Sequence, residues 1–415
     1  MSDVTQPRMA RGTLLPATLL AAALFAMLAF APFASAASDP VASGTTTVTL
    51  NSGFVKALQK GGVKLLKLSP ATVKGKTLTL PVSGGSVDPL SGLGTVTHSG
   101  GIKFKAAKKS VSLQSLELNT TTGSLSAKVG SKTLKVATVK GFTSARDGFG
   151  VDLKVTKLKL TGKAAKELNK ALAPAVKKTP KKGKGKASKS KKKGTGSKGV
   201  FKANQVIGGS SSTTQPSTVA VLPGGNATLA TSLATVTKLA KVGVKIETVT
   251  PTTVTSAGPP PAFAFPIVGE SIAPTATAGI IKTAGGLKLV QDLEALGATG
   301  AGTTTLTLGN IWVDLGTKAA TVEVSVENPK TPKANLGNLG RSSIADVNLT
   351  GATITADPTA HTVSVQNASA TLQAVTAEVL NSVFVNPIEE ATKAPQEKFV
   401  TGDPLGTFSF TAQTE

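Results

Sequence analysis

The chain has 415 residues, with 46 Lys and Arg against 22 Asp and Glu, and a formal net charge of +24. It holds no cysteine, no tyrosine, one tryptophan and two histidines, which excludes disulfides, cysteine-linked lipids and any zinc centre of four Cys or His ligands. Val, Thr, Leu, Ala and Gly dominate, and turn residues recur roughly every 8–12 positions, which predicts an all-β chain of sandwich or barrel type.

Residues 1–36 read as an export signal. Arg8 and Arg11 precede an apolar run from Leu14 to Phe33, and Ala34-Ser35-Ala36 supplies a small-x-small cleavage site. An uncleaved anchor is the alternative, opposed by Pro16 and Pro32 inside the run. No later stretch is apolar enough to span a bilayer. The protein is therefore expected to be secreted or held at the cell surface.

The rest of the chain predicts two copies of one domain. Leu58-Gln59-Lys60-Gly61-Gly62-Val63-Lys64 returns 181 residues later as Leu239-Ala240-Lys241-Val242-Gly243-Val244-Lys245. Leu78-Thr79-Leu80-Pro81-Val82 returns as Phe263-Ala264-Phe265-Pro266-Ile267, now at 185, the difference fitting an insertion around Pro259-Pro260-Pro261. Gly94-Thr95-Val96-Thr97-His98-Ser99-Gly100-Gly101-Ile102-Lys103-Phe104 returns at the same 185, with Thr283 in the place of His98. Apolar and polar residues alternate about the Gly-Gly pair, which predicts a strand with a bulge, a bend or a close approach.

Short helices are expected near Phe54 to Lys60 and near Val236 to Lys241. A further helix ends each copy, with Ala164, Ala165, Leu168 and Leu172, and then Ala377, Leu380 and Phe384, at helical spacing. Leu168-Asn169 and Leu380-Asn381 agree in identity. The expected layout is two tandem β-sandwich-like domains at 37–175 and 219–415, with Phe399 to Gln413 adding a last strand.

Residues 176–218 are expected to be a disordered linker between them. Lys177 to Lys202 carries 12 cations and no anion, and Ser210 to Thr218 extends the stretch without charge. Residues 38–176 carry 21 cations against 6 anions, and 203–415 carry 11 against 15, so the first half is basic and the second mildly acidic. Lys177, Lys178, Lys181, Lys182, Lys184, Lys186, Lys189, Lys191, Lys192, Lys193 and Lys198 read as a polyanion-binding run. For an exported protein the partners are anionic wall polymers or lipid headgroups, at about 1 kcal/mol per lysine near a charged surface. A plain solvated tether is the alternative. Specific nucleic-acid reading is not expected, because the run has no arginine and Phe201 is its one aromatic.

Catalysis is not expected either. His98 and Ser99 are adjacent, which does not place them for proton transfer, and no nucleophile elbow follows. Asp39, Asp88, Glu117, Asp147, Asp152 and Glu167 show no clustered pair for glycoside hydrolysis. His361 follows the turn Asp357-Pro358-Thr359-Ala360 and reads as an exposed strand-end residue.

The segment from Pro81-Val82-Ser83-Gly84-Gly85 through Thr97-His98-Ser99-Gly100-Gly101 resembles the HtaA domain of secreted and surface haem-uptake proteins of actinobacteria. The resemblance extends over most of both copies and implies a β-rich sandwich, export and haem binding. In that family a tyrosine ligates the iron and a nearby histidine supports it. His98 matches that histidine, while the helix Gly53-Phe54-Val55-Lys56-Ala57-Leu58 has no tyrosine at the ligand's place. Three readings follow: a non-catalytic envelope protein tethered by its basic segment, haem capture through His98 against a wall of Phe54, Leu58, Val96 and Ile102, or an adhesion protein self-associating through strand edges. For His98 itself the alternative to a ligand is a strand residue bonded to a backbone carbonyl.

Overall fold

The structure, a computed structural model, describes residues 38–173, 199–331 and 335–415. The first repeat begins with β1 (Asp39–Leu50), helix α1 (Ser52–Lys60), β2 (Val63–Leu68), β3 (Thr72–Lys74) and β4 (Thr77–Val87). It continues with β5 (Gly94–His98), β6 (Gly101–Ala106), β7 (Lys109–Asn119), β8 (Ser124–Val129), β9 (Lys132–Asp147) and β10 (Gly150–Leu160). Helix α2 (Gly162–Leu172) and β11 (Val206–Pro216) complete it. Neighbours run β7–β5–β4–β1–β11–β10–β9–β8, and β8 pairs back onto β7, so eight antiparallel strands form a closed ring. Strands β6 and β2 project from β7 as a two-stranded wing, and β3 pairs with β4.

The second repeat opens with β12 (Val219–Val221), β13 (Asn226–Thr231), α3 (Leu233–Lys241), β14 (Val244–Val249), β15 (Thr253–Ser256) and β16 (Ala262–Ile272). Then come β17 (Gly279–Thr283), β18 (Gly286–Asp292), β19 (Thr303–Asp314), β20 (Ala319–Glu327), β21 (Gly337–Asn348), β22 (Thr353–Asp357) and β23 (Thr362–Leu372). Helix α4 (Ala374–Leu380), a π-helical turn (Asn381–Val385), α5 (Asn386–Thr392) and β24 (Pro404–Gln413) end it. Its ring has the same order, β19–β17–β16–β13–β24–β23–β21–β20 and back to β19, with β18 and β14 as the wing. The all-β, two-copy plan therefore stands. The opposed sheets of a sandwich are in each copy one sheet that closes on itself, which leaves few free edges.

The local causes repeat as well. Asn51 caps α1 by accepting from Gly53 N at 2.8 Å, and the helix buries Phe54 and Leu58 one turn apart against the ring. Thr161 caps α2 through Ala164 N at 3.1 Å, with Ala164, Ala165 and Leu168 buried. Asn169 then clamps the returning chain: its amide donates to Phe201 O at 2.7 Å and its oxygen accepts from Phe201 N at 3.1 Å. Asn381 does the same with Phe399, at 2.8 Å in both directions. The Gly-Gly pair marks a close approach, as expected. A Cβ on Gly100, whose φ is +76°, would stand 2.6 Å from Leu68 O and 2.7 Å from Ala71 N.

One expectation is overturned. Residues 206–216 do not belong to a linker but form β11, hydrogen-bonded to β1 and β10 in the first ring. Ser210, Ser212 and Thr214 are its inward residues and are buried, and Thr214 Oγ1 donates to Val151 O at 2.9 Å. Small hydroxyl side chains suit this crowded wall, where a Cβ on Gly209 would lie 3.0 Å from Val155 O and from Thr156 O. The lysine-rich run is consequently an insertion inside the first repeat, between α2 and β11, and only Ser217 and Thr218 separate β11 from β12, the first strand of the second repeat. The lysines from Lys177 to Lys198 and the signal at 1–36 lie outside the described residues. Among the described residues, no helix is long and apolar enough to cross a membrane.

Candidate functional site

His98 ends β5 with its ring inside the first barrel, 3 % exposed. Nδ1 lies 3.0 Å from Leu116 O and Nε2 lies 2.7 Å from Thr46 Oγ1, which is itself 2.8 Å from Ser212 Oγ. A carbonyl only accepts, so Nδ1 carries the proton, and Thr46 Oγ1, with a single hydrogen, lies within reach of both the Nε2 lone pair and Ser212 Oγ. Burial pushes the ring's pKa below its ordinary value, against an opposing push from the Leu116 carbonyl, and favours this neutral form. The sequence left His98 between an axial ligand and a strand residue bonded to a backbone carbonyl; in the fold Nδ1 meets the Leu116 carbonyl and Nε2 meets Thr46 Oγ1. Val96 is buried beside it in β5, whereas Phe54 and Leu58 belong to the helix packed on the ring.

The second repeat explains why a histidine stands here. Ser115 in β7 has φ +47°, and the ladder to β8 is irregular between Gln114 and Glu117. Asn310 in β19 has the same φ, and the ladder to β20 is irregular between Gly309 and Trp312. Each bulge is followed by a carbonyl that a side chain satisfies. In the first ring His98 donates to Leu116 O, and in the second Thr283 Oγ1 donates to Ile311 O at 2.8 Å. Two residue types thus do the same backbone job. Thr46 and Ser212 were not singled out by the sequence, since isolated hydroxyl residues in a Thr/Ser-rich strand carry no signal.

The charges are arranged in a second, larger feature. All seven ion pairs among the described residues lie in the second repeat, from Lys238–Asp403 at 2.9 Å to Lys330–Glu294 at 2.8 Å. The first repeat's lysines have no carboxylate partner there. Two pairs of exposed lysines face each other across strands, Lys64 with Lys105 on the wing and Lys140 with Lys157 on the ring. Like charges directly opposite cost roughly 0.2–1 kcal/mol per pair. The equivalent wing of the second repeat sets Lys245 against Val290 and Glu247 against Lys288, and is neutralised. In β6, Lys103 and Lys105 share one face with Leu66 and Lys64 of β2, and β7 adds Ser112 and Ser110 beside them. This surface was legible only as net charge.

His361 departs from its expected exposure. It is half-buried with φ +53°, its ring 6.3 Å from Phe149 of the first repeat and its Nδ1 3.3 Å from Glu415 O. Nearby, Arg146 donates to Gly148 O at 2.9 Å and to Glu415 O, so the two repeats meet here. Burial raises the Asp39 carboxyl from 3.8 to about 6, Arg146 opposing and Glu415 reinforcing the change. Among the described residues, no group of three or more His, Asp or Glu is placed to hold a metal.

No protein-family model matches the chain, and no curated protein matches it. Among solved structures, the C-terminal domain of HtaA from Corynebacterium glutamicum aligns over 43 % of this chain and 98 % of that domain, at 12 % identity and a TM-score of 0.30. A domain-swapped dimer variant of that domain aligns over 43 % of this chain and 88 % of its own, at 15 % identity and a TM-score of 0.25.

Proposed function

We propose that the protein is an exported, non-catalytic binding protein of the cell envelope, held to an anionic wall polymer or lipid surface by its first repeat. The supporting observation is the segregation of charge: seven ion pairs in the second repeat and an un-neutralised lysine surface in the first, kept despite the cost of Lys64 facing Lys105. A surface that keeps such a cost is accounted for by a partner that supplies the missing negative charge. The lysine-rich insertion leaves and re-enters this repeat beside the wing, where Leu172, Ala173 and Gly199 share a groove with Val63 and Ala106. Both attachment points of the insertion therefore lie on the first repeat, beside the wing, and not between the two repeats.

The non-catalytic part of the reading is supported by the Ser212–Thr46–His98 chain, which is buried and has no carboxylate bonded to the ring. Haem capture, which the family resemblance implies, draws no support from His98, because both its nitrogens are engaged. Pelleting with purified cell walls tests the proposal. Binding should weaken on deleting Lys177 to Lys198 and disappear near 0.5 M salt, where the screening length is about 4–5 Å. Sedimentation that ignores both changes would refute it.

A further inference from the structure

Each barrel has an apolar cavity at the same place, between its first helix and the inner wall of the ring. In the first repeat it is nearly filled, about 40 Å³, and Leu50, Phe54 and Phe104 are among its lining. In the second it is about 110 Å³. The positions 181 residues on from Leu50 and Phe54 are Thr231 and Thr235, and Leu289 stands 185 residues on from Phe104. The exchange of two large side chains for two threonines opens the space. Both threonines turn their hydroxyls out of it: Thr231 Oγ1 donates to Pro261 O at 2.5 Å and Thr235 Oγ1 to Pro404 O at 2.6 Å. What faces the cavity is hydrocarbon from Leu229, Leu287, Leu306 and their neighbours.

A space with no polar partner does not hold water, and a cavity of roughly 150 Å³ just accepts benzene. This one is too small for a ring system and fits a few methylenes in line. A second space of about 310 Å³ lies on the outer side of α3, open to solvent and lined by Ala240, Val254, Ala257, Pro261 and Phe263. Val236, Leu239 and Ile246 line both spaces. Val254 is 51 % exposed at the groove's edge.

We propose that the second repeat binds one unbranched hydrocarbon chain, its end inserted past Val236, Leu239 and Ile246 into the barrel and its remainder lying in the open groove lined by Ala240, Val254 and Phe263. The two repeats then divide the labour: the first meets charge, and the second takes an alkyl or acyl tail. This goes beyond the envelope reading and does not depend on it.

The test is calorimetric titration of the full chain with n-decanol, a neutral probe that the lysines do not attract. One site per chain is expected, with a negative heat-capacity change. Thr235→Phe, which restores the side chain of the first repeat, should weaken binding at least 10-fold, and Phe54→Thr should raise the stoichiometry towards two. If Thr235→Phe does not fold by circular dichroism, Thr231→Leu, the residue matching Leu50, serves instead and should weaken binding several-fold. Flotation with neutral phosphatidylcholine vesicles that is lost in the same variant identifies the chain as a bilayer lipid's. Decanol binding without flotation identifies a free amphiphile. No decanol binding, or binding that the folded filling variants leave unchanged, would overturn the assignment.

Discussion

Replacing His98 with alanine separates a structural histidine from a ligand. The substitution removes the donor to Leu116 O and the partner of Thr46 Oγ1, both inside the barrel. Leu116 O, left without its partner, costs about 1–3 kcal/mol, Thr46 Oγ1 keeps Ser212 Oγ, and the vacated ring volume adds to this, so a total of roughly 3–5 kcal/mol is expected. For a domain of this size each kcal/mol lowers Tm by about 2–4 °C, which gives a fall of roughly 6–20 °C. His98→Thr copies the second repeat, where Thr283 serves Ile311 O, and should cost clearly less. Trp312 lies in the second ring, so its emission should change little while far-UV circular dichroism shows the first ring melting early. The wild type should also be acid-sensitive. The folded pKa of His98 lies below its unfolded value, so its contribution is complete above about 6.5 and is lost as pH falls through the folded pKa. An unchanged melt in His98→Ala, or a Thr variant as damaged as the Ala variant, would refute this reasoning.

Asp39→Asn should stabilise the protein near pH 7 by at most about 3 kcal/mol, the free-energy equivalent of moving its pKa from 3.8 to about 6. Because that pKa is raised, stability should increase as pH falls from above 6 towards 4, and the asparagine variant should lose this slope in urea titrations at several pH values. Asn169→Ala and Asn381→Ala each remove a two-bond clamp on a buried phenylalanine, and each should lower urea stability by about 1–3 kcal/mol; a neutral result at either would show that the clamp is incidental. Lys105→Glu turns a like-charged cross-strand pair into an opposite one and should raise Tm by about 1–4 °C while weakening wall binding, whereas a gain in both would contradict a polyanion role for the wing.

The duplication was readable because backbone demands repeat. The Gly-Gly approach, the helix carrying Leu58 or Leu239 and the Leu-Asn pair at 168 and 380 recur, and each maps onto one structural device. The last strand of the first copy was not readable. In β11 the inward positions are Ser210, Ser212 and Thr214, so the apolar alternation that marks Phe408 and Phe410 in β24 is missing. Composition therefore grouped it with the lysine run, and the insertion looked like a linker. For His98 a bond to a backbone carbonyl was one of two readings the sequence allowed, and which carbonyl it serves was not legible. A bulge carbonyl can be met by any short donor, so His in one copy and Thr in the other looks like a lost ligand until Leu116 O and Ile311 O are seen together. Ring closure by β8 on β7 and β20 on β19 leaves no local mark, because it depends on pairing across the whole repeat.

Titration with a linear glycerol-phosphate polymer at low and moderate salt tests the central claim most directly. Two variants with the same net charge are compared: Lys64, Lys103 and Lys105 changed to Glu on the first wing, and Lys245, Lys288 and Lys318 changed to Glu in the second repeat. The account predicts at least a 10-fold loss for the first set and less than 2-fold for the second. Equal losses would mean that only total charge matters, and the assignment of the first repeat as the anchoring surface would be wrong.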